Sequence, residues 1–304
     1  MKTVSNDEPM QLQLAKAQAT QRPRVVIAKK LPGGCGAEIT GVDLSQPISE
    51  SLREDILAAF AAHHLLVFRN QQLDKRQFGE VAAIFGEVEG NVFRNPDGST
   101  LEAIHQISNL DAAGRPAENP YLKSNYFWHS DKAYLPVPAL LTMLHAVELP
   151  PSGGDTQFAD MIRAHASLTD DVKRRISGLR AVHGLEYMRI STDDRPPTDE
   201  EKNAAPPVVH PLVRTHPVTG EKSLFLGMYC SHIVGMDGAA SRALLDQLLS
   251  HATQGQYVYT HRWSPGDLVI WDNRCLLHRA VANYDMAANR RVLLRLVVKD
   301  NVAP

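Results

Sequence analysis

Cysteine is scarce in this 304-residue chain: Cys35, Cys230 and Cys275 are widely separated, odd in number, and form no Cys-x-x-Cys pair. That spacing excludes a cysteine zinc site and a disulfide framework, and it fits reduced thiols in a cytoplasmic protein. An excess of charge is equally missing, since 32 Lys and Arg stand against 34 Asp and Glu for a net charge of -2. Without a basic field there is nothing to draw in a phosphate backbone or an anionic bilayer, so neither nucleic acid nor membrane is expected as a partner. No apolar run approaches the length of a membrane helix, and the N-terminus lacks a basic stretch followed by an apolar segment. The glycine cluster at Gly33, Gly34 and Gly36 is not followed by a helix or a Lys-Ser/Thr pair, so it reads as a turn between strands and not as a phosphate loop.

What is present is enough apolar material, 43% of residues, for one enzyme-sized domain. Residues 1–23 are polar and aperiodic and are expected to form a flexible extension, with a single domain over 24–304. VVIAKK and AEITGVDL read as short strands, and Ser51 to Glu54 has the form of a capping box that opens a helix over 52–63. LLVFRN reads as a buried strand, and Asp74 opens a second helix with Phe78, Val81 and Phe85 on one face. Helical spacing returns over 160–177 and 238–251. Turn signals surround one strand, EAIHQISN, in a long stretch that predicts a lid loop near 90–127. Residues 191–207 look too polar and too rich in proline to pack, which places a second lid near 187–206. The last third returns to strands: HPLVRTHP, KSLFLG, YVYTHRW, DLVIWDN and RRVLLRLVVKD. Many short strands with a few covering helices predict a mainly β fold, an antiparallel sandwich or barrel.

Of the thirteen histidines only His129 has a carboxylate two residues on, Asp131. In an extended chain those two side chains point the same way and can converge on one ion. His-x-Asp with one distant His is the 2-His-1-carboxylate arrangement, which leaves three positions of an octahedron open. An isolated His-x-Asp is more often a surface pair, and His278 competes with His232, His251 and His261 for the distant position. On the final strand, alternation puts Arg291, Leu293, Arg295 and Val297 on one face, the two arginines roughly 13 Å apart. If that face is buried the arginines require anions, and a dicarboxylate suits the two-pronged guanidinium; if the strand is an edge, they face solvent.

These residues together resemble the taurine dioxygenase and 2,4-dichlorophenoxyacetate dioxygenase family over most of 24–298. Four segments carry the likeness: Trp128-His129-Ser130-Asp131; Glu148-Leu149-Pro150 with Gly153-Gly154-Asp155-Thr156; His210 to Pro217; and Gly266-Asp267 through Trp271-Asp272-Asn273-Arg274 to His278, then Arg290, Arg291 and Arg295. The resemblance implies a double-stranded β-helix (jelly roll), with iron(II) held by His129, Asp131 and His278. It also implies 2-oxoglutarate as co-substrate, its distal carboxylate on Thr156 and Arg291. Arg295 matches a second arginine directed at the substrate's acid group, and Asn125 a substrate-contacting position. The implied reaction uses oxygen to hydroxylate a small anionic substrate and gives succinate and carbon dioxide, in an enzyme that assembles as a dimer or tetramer. EGNVFRNPDG has no equivalent of the histidine with which taurine dioxygenase binds sulfonate, and SNLDAAGRP and the sequence around YFWHSDKAY resemble the herbicide-degrading branch more closely, so an aryloxyalkanoate is expected ahead of taurine, an alkylsulfonate or an alkyl sulfate. A non-catalytic metal- and 2-oxoglutarate-binding jelly roll and a zinc hydrolase on the same ligands are the alternatives of a different class.

Overall fold

The computed structural model describes residues 26–89, 102–117 and 123–304. The extension expected over 1–23, and the stretches 90–101 and 118–122 of the first expected lid, lie outside the described residues.

A seven-stranded sheet carries the fold, in the order β1 (Ile27–Lys30), β2 (Ala37–Thr40), β3 (Leu65–Phe68), β13 (Leu268–Asp272), β5 (Ala139–Glu148), β15 (Val292–Lys299) and β4 (His105–Ser108). Its neighbours are antiparallel except β2 and β3, which pair in parallel around the Glu50–His63 helix. A smaller sheet stacks β12 (Val258–His261), β6 (Thr156–Asp160) and β14 (Leu276–Ala280). β7 (Arg180–His183), β8 (Val208–Pro211) and β11 (Cys230–Ile233) form a third, and β9 (Val213–Thr215) with β10 (Lys222–Leu224) a fourth.

Central strands of the large sheet are apolar at most positions on both faces because both faces are covered, with Thr142, His145 and Arg295 among the exceptions. Leu66, Phe68, Leu268, Ile270, Leu294 and Leu296 pack with Ile56, Phe60 and Phe78 of the two N-terminal helices. The alternate residues Leu65, Val67, Val269, Trp271 and Leu293 meet Phe158 and Leu276 of the small sheet. Arg291 and Arg295 share this inner side with Leu293, and β15 lies between β5 and β4, so the edge-strand reading of the arginines fails.

Local differences from the sequence reading have identifiable causes. The first helix spans Glu50–His63 and is capped by Ser49, whose side chain accepts from the Leu52 amide; the box expected at Ser51 lies inside the first turn. Asp74 and Gln77 form the second helix's capping box as expected. The helix expected over 160–177 is two helices, Met161–Ala166 and Asp170–Ile176, because Thr169 caps a new start. HPLVRTHP divides into β8 and β9 at the buried Leu212. Residues 191–207 do pack, contrary to expectation: Asp199–Ala204 is helical, with a capping box between Thr198 and Glu201, and Arg195 grips the buried Glu201 carboxylate at 2.7 and 2.9 Å. A charge that brings its own counter-charge can be buried where polarity alone predicts a loop. Among the described residues no helix is long and apolar enough to cross a membrane.

Candidate active site

His129 and His278 face each other across an isolated antiparallel bridge in which each amide donates to the other's carbonyl, at 3.0 and 2.8 Å. Directly opposed residues project to the same side, so the two rings stand 4.0 Å apart between centroids although 149 positions separate them in the chain (278 − 129). Asp131 completes the group: its Oδ2 is 3.5 Å from His278 Nε2 and its Oδ1 is 3.9 Å from His129 Nε2. All three are buried, and one donor atom from each lies within 4.8 Å of the others.

The protonation pattern suits a cation. His129 Nδ1 lies 2.7 Å from the Phe127 carbonyl, an obligate acceptor, so the ring proton sits there and Nε2 offers its lone pair. Burial depresses the His129 pKa, opposed by Asp131, and it depresses that of His278 further, where His129 adds to the effect. Both rings are therefore neutral ligands. Burial alone would raise the Asp131 pKa, but Arg295, His278 and His129 together hold it below the ordinary carboxylate range. Two neutral imidazoles and one carboxylate form a donor set that suits a divalent first-row metal.

Beside this group lies a second feature suited to an anion. Gly153 and Gly154 adopt positive φ, and a Cβ on Gly154 would fall 2.8 Å from Arg291 Nε. The bare backbone lets the guanidinium lie flat against the turn, where Nε donates to the Gly154 carbonyl at 2.9 Å. Arg291 is buried, which pulls its pKa below the usual guanidinium value, and among the described residues no carboxylate pairs with it. Thr156, also buried, starts β6 and receives the Trp263 indole N–H at 3.0 Å. Arg295 points from β15 to Asp131 Oδ1 at 2.7 Å, at the metal group itself. Asn125 is half-buried on the Lys123–Tyr126 turn, which is tied down where the Lys123 and Ser124 amides donate to Asp194.

The other late histidines sit elsewhere. His261 is buried against Asp267 at 3.0 Å, His251 bonds to Ser167 and the Ala164 carbonyl, and His232 is exposed beside Ser231. His64, His216, Asp272 and Cys275 form a second cluster of donors. There Arg274 already supplies the cation, with Nε and Nη2 on the two Asp272 oxygens at 2.8 and 2.6 Å, and burial keeps the Cys275 thiol protonated. Sequence reasoning passed over Trp263, Asn283, Asn109 and Thr142. Asn283 receives the Gly154 amide and donates to Asp155, and Asn109 receives the Arg291 amide at 2.8 Å. Nothing in local pattern marks these residues, because each contact joins segments more than a hundred residues apart or is a lone polar side chain on an apolar strand.

The chain matches the family described as taurine catabolism dioxygenase TauD, TfdA family over residues 28–297. It is 40% identical over 263 residues to an alpha-ketoglutarate-dependent 2,4-dichlorophenoxyacetate dioxygenase of Burkholderia sp. (strain RASC), covering 84% of this chain and 88% of that protein. A (S)-phenoxypropionate/alpha-ketoglutarate-dioxygenase of Sphingobium herbicidovorans is 37% identical over 267 residues, 84% of this chain and 88% of that one. The crystal structure of AAD-2 in complex with Mn(II) and N-oxalylglycine superposes with a TM-score of 0.82 at 35% identity, over 91% of this chain and 98% of that chain. With a family match across nearly the whole described fold and such relatives, this chain belongs to the TauD/TfdA dioxygenase family.

Proposed function

We propose that this protein is an iron(II)- and 2-oxoglutarate-dependent dioxygenase that hydroxylates a small anionic organic substrate, with an aryloxyalkanoate as the favoured class. The observation that carries the reading is the pairing of a buried His129, Asp131 and His278 group with a buried Arg291 that has no anionic partner among the described residues. A buried guanidinium calls for a carboxylate, and a His-Asp-His group calls for a metal. A co-substrate that is both metal chelator and dicarboxylate answers both needs, and the Mn(II) and N-oxalylglycine bound by AAD-2 support it.

Iron, when bound, supplies the oxygen chemistry. The chain's own residues bind and orient. His129, Asp131 and His278 hold the metal through neutral imidazole nitrogens and a carboxylate. Arg291 and the Thr156 hydroxyl take the distal carboxylate of 2-oxoglutarate, and Arg295 with Asn125 takes the substrate's acid group. Trp271 and Phe158, buried against the His278 ring, exclude water from the reacting centre. The aryloxyalkanoate preference is supported by the substrates in the names of the two relatives.

The same reading extends to architecture. The stacking of the large sheet on the β12-β6-β14 sheet supports a double-stranded β-helix within a single domain over 24–304. The Lys123–Tyr126 turn and the segment near 187–206, as packed helices, border the substrate, supported by the Asp194 bonds to that turn. Three buried free thiols support a cytoplasmic setting. Assembly as a dimer or tetramer belongs to the same reading.

The test is succinate formation with iron(II), ascorbate, 2-oxoglutarate and oxygen across aryloxyalkanoates, sulfonates, alkyl sulfates and phosphonates. Stimulation by an aryloxyalkanoate, abolished in H129A, is expected. Turnover stimulated only by sulfonates or sulfates overturns the substrate class, and no binding of 2-oxoglutarate to the metal-loaded protein overturns the activity.

A further inference from the structure

Thr142 is the one hydroxyl on β5, in the run Ala139-Leu140-Leu141-Thr142-Met143-Leu144, and it is fully buried. A buried hydroxyl in the middle of an apolar strand requires a partner. It has two. Thr142 Oγ1 stands 2.5 Å from Asp131 Oδ2 and 3.0 Å from Asn273 Nδ2.

The direction of each bond follows from chemistry alone. Asn273 Oδ1 is approached by the Asp131 amide at 3.1 Å and by the Trp271 indole N–H at 3.2 Å, two groups that can only donate. That fixes the amide, so Nδ2 faces Thr142 and donates to it. A threonine hydroxyl has a single proton, and with Oγ1 accepting from Asn273 that proton is directed to Asp131 Oδ2. Ser130 adds a further anchor by donating to the Asn273 carbonyl at 2.7 Å. Trp271 sits opposite Thr142 in the β13–β5 register, so the whole chain of donors is held by the rigid centre of the large sheet.

We propose that Thr142 is a positioning residue for the metal centre: by donating to Asp131 Oδ2 it holds the carboxylate in one orientation beside His129 and His278, with Arg295 on the other oxygen, Oδ1, at 2.7 Å. This rests on the reading of His129, Asp131 and His278 as a metal site. A carboxylate free to rotate would have to be ordered when a metal binds, and would hold it less tightly. Asn273 sets the polarity, and Thr142 delivers it.

The experiment is a titration of the full-length apoprotein with Mn(II), read by loss of the free-ion paramagnetic signal, with the visible spectrum of the Co(II) form as a second readout. T142V, nearly the same shape without the hydroxyl, weakens Mn(II) binding by about 10–100-fold, the range usual for removal of such an outer partner, and alters the Co(II) spectrum. T142S returns both to parental values. Should T142V not unfold cooperatively as the apoprotein, T142A carries the same test with the same expected loss. Parental Mn(II) affinity and Co(II) spectrum in T142V or T142A overturn the proposal while leaving the metal site standing. Parent protein that binds no Mn(II), or H129A that binds it equally well, overturns the metal site and the proposal together.

Discussion

Arg291, just before β15, and Arg295, within it, meet different surroundings, which separates their expected roles. Arg291 lies buried against the Gly154 carbonyl, whereas Arg295 reaches Asp131. Loss of a charge-assisted contact costs about 1.5–3 kcal/mol, or roughly 10–100-fold in affinity. R291Q is expected to raise the KM for 2-oxoglutarate by that factor, and R291K to restore little of it, because a lysine lacks the planar fork. R295A is expected to raise the substrate KM far more than the 2-oxoglutarate KM; equal effects on both would remove Arg295 from substrate recognition. His183 permits a prediction about pH. It is buried with neither ring nitrogen hydrogen-bonded among the described residues, stacks on Phe225, and burial and then His210 push its pKa down to about 3. The unfolded chain, with an ordinary value near 6.5, therefore binds a proton that the fold refuses. Stability from this group is complete above about pH 6.5 and is lost as the pH falls toward the folded value. H183F should flatten the fall of Tm between about pH 7 and about pH 4.5 relative to the parent, without abolishing it, since His64 is likewise pushed down to about 4 by its burial. An unchanged slope would assign the acid sensitivity elsewhere. At this scale the sequence singled out the group that the structure brings together, because the pattern is local for His129 and Asp131 and the family likeness chose His278. Thr142 and Asn283 stayed hidden because their importance lies in contacts that no spacing records.

Gly153 and Gly154, in the connection from β5 to β6, show how an element places a residue it does not contain. Their positive φ values, +78° and +69°, open the turn, and the space a side chain would fill is taken by Asn283 and Arg291. G154A is expected to displace the guanidinium and strain the turn, destabilising the protein by more than about 1 kcal/mol and weakening 2-oxoglutarate binding with little change in Mn(II) affinity. Calorimetric titration of both ligands checks this, and an equal loss of metal affinity would show that the turn supports the whole site. Strands were legible from their apolar runs, as β3, β13 and β15 show, because burial on two faces leaves a continuous signal; the central strand β5 was not read from the sequence. Helix starts were less so. Ser49 and Ser51 both suit a cap, and which one serves depends on the path of the incoming chain, as does the helix Asp199–Ala204, whose burial depends on the Arg195 partner of Glu201.

At the scale of the molecule, the ligand set is divided between two sheets. His278 belongs to β14 of the small sheet, and His129 is bonded to it by the backbone bridge; Asp131 is held by Thr142 of the large sheet and by Asn273, just past the end of β13. The apolar layer between the sheets, with Phe158 and Leu276 against Val269 and Leu293, holds that geometry before any ligand arrives. A metal bound by all three residues would link the two sheets directly, and a dicarboxylate held, as proposed, by Thr156 of β6 and Arg291 beside β15 would link them a second time. Ligands that bind only the folded state stabilise it by mass action, about 2.7 kcal/mol at a hundred times Kd. For a chain of this size that corresponds to a rise in Tm of roughly 4 °C. Mn(II) with N-oxalylglycine should therefore raise the Tm of the parent by at least that amount, and each ligand alone by less. H129A should lose the response to metal and R291Q the response to N-oxalylglycine, each keeping a normal apoprotein transition. Because the two variants report on different sheets, loss of both responses in both variants would mean that the sites form only together, so that metal and co-substrate close the fold as one unit.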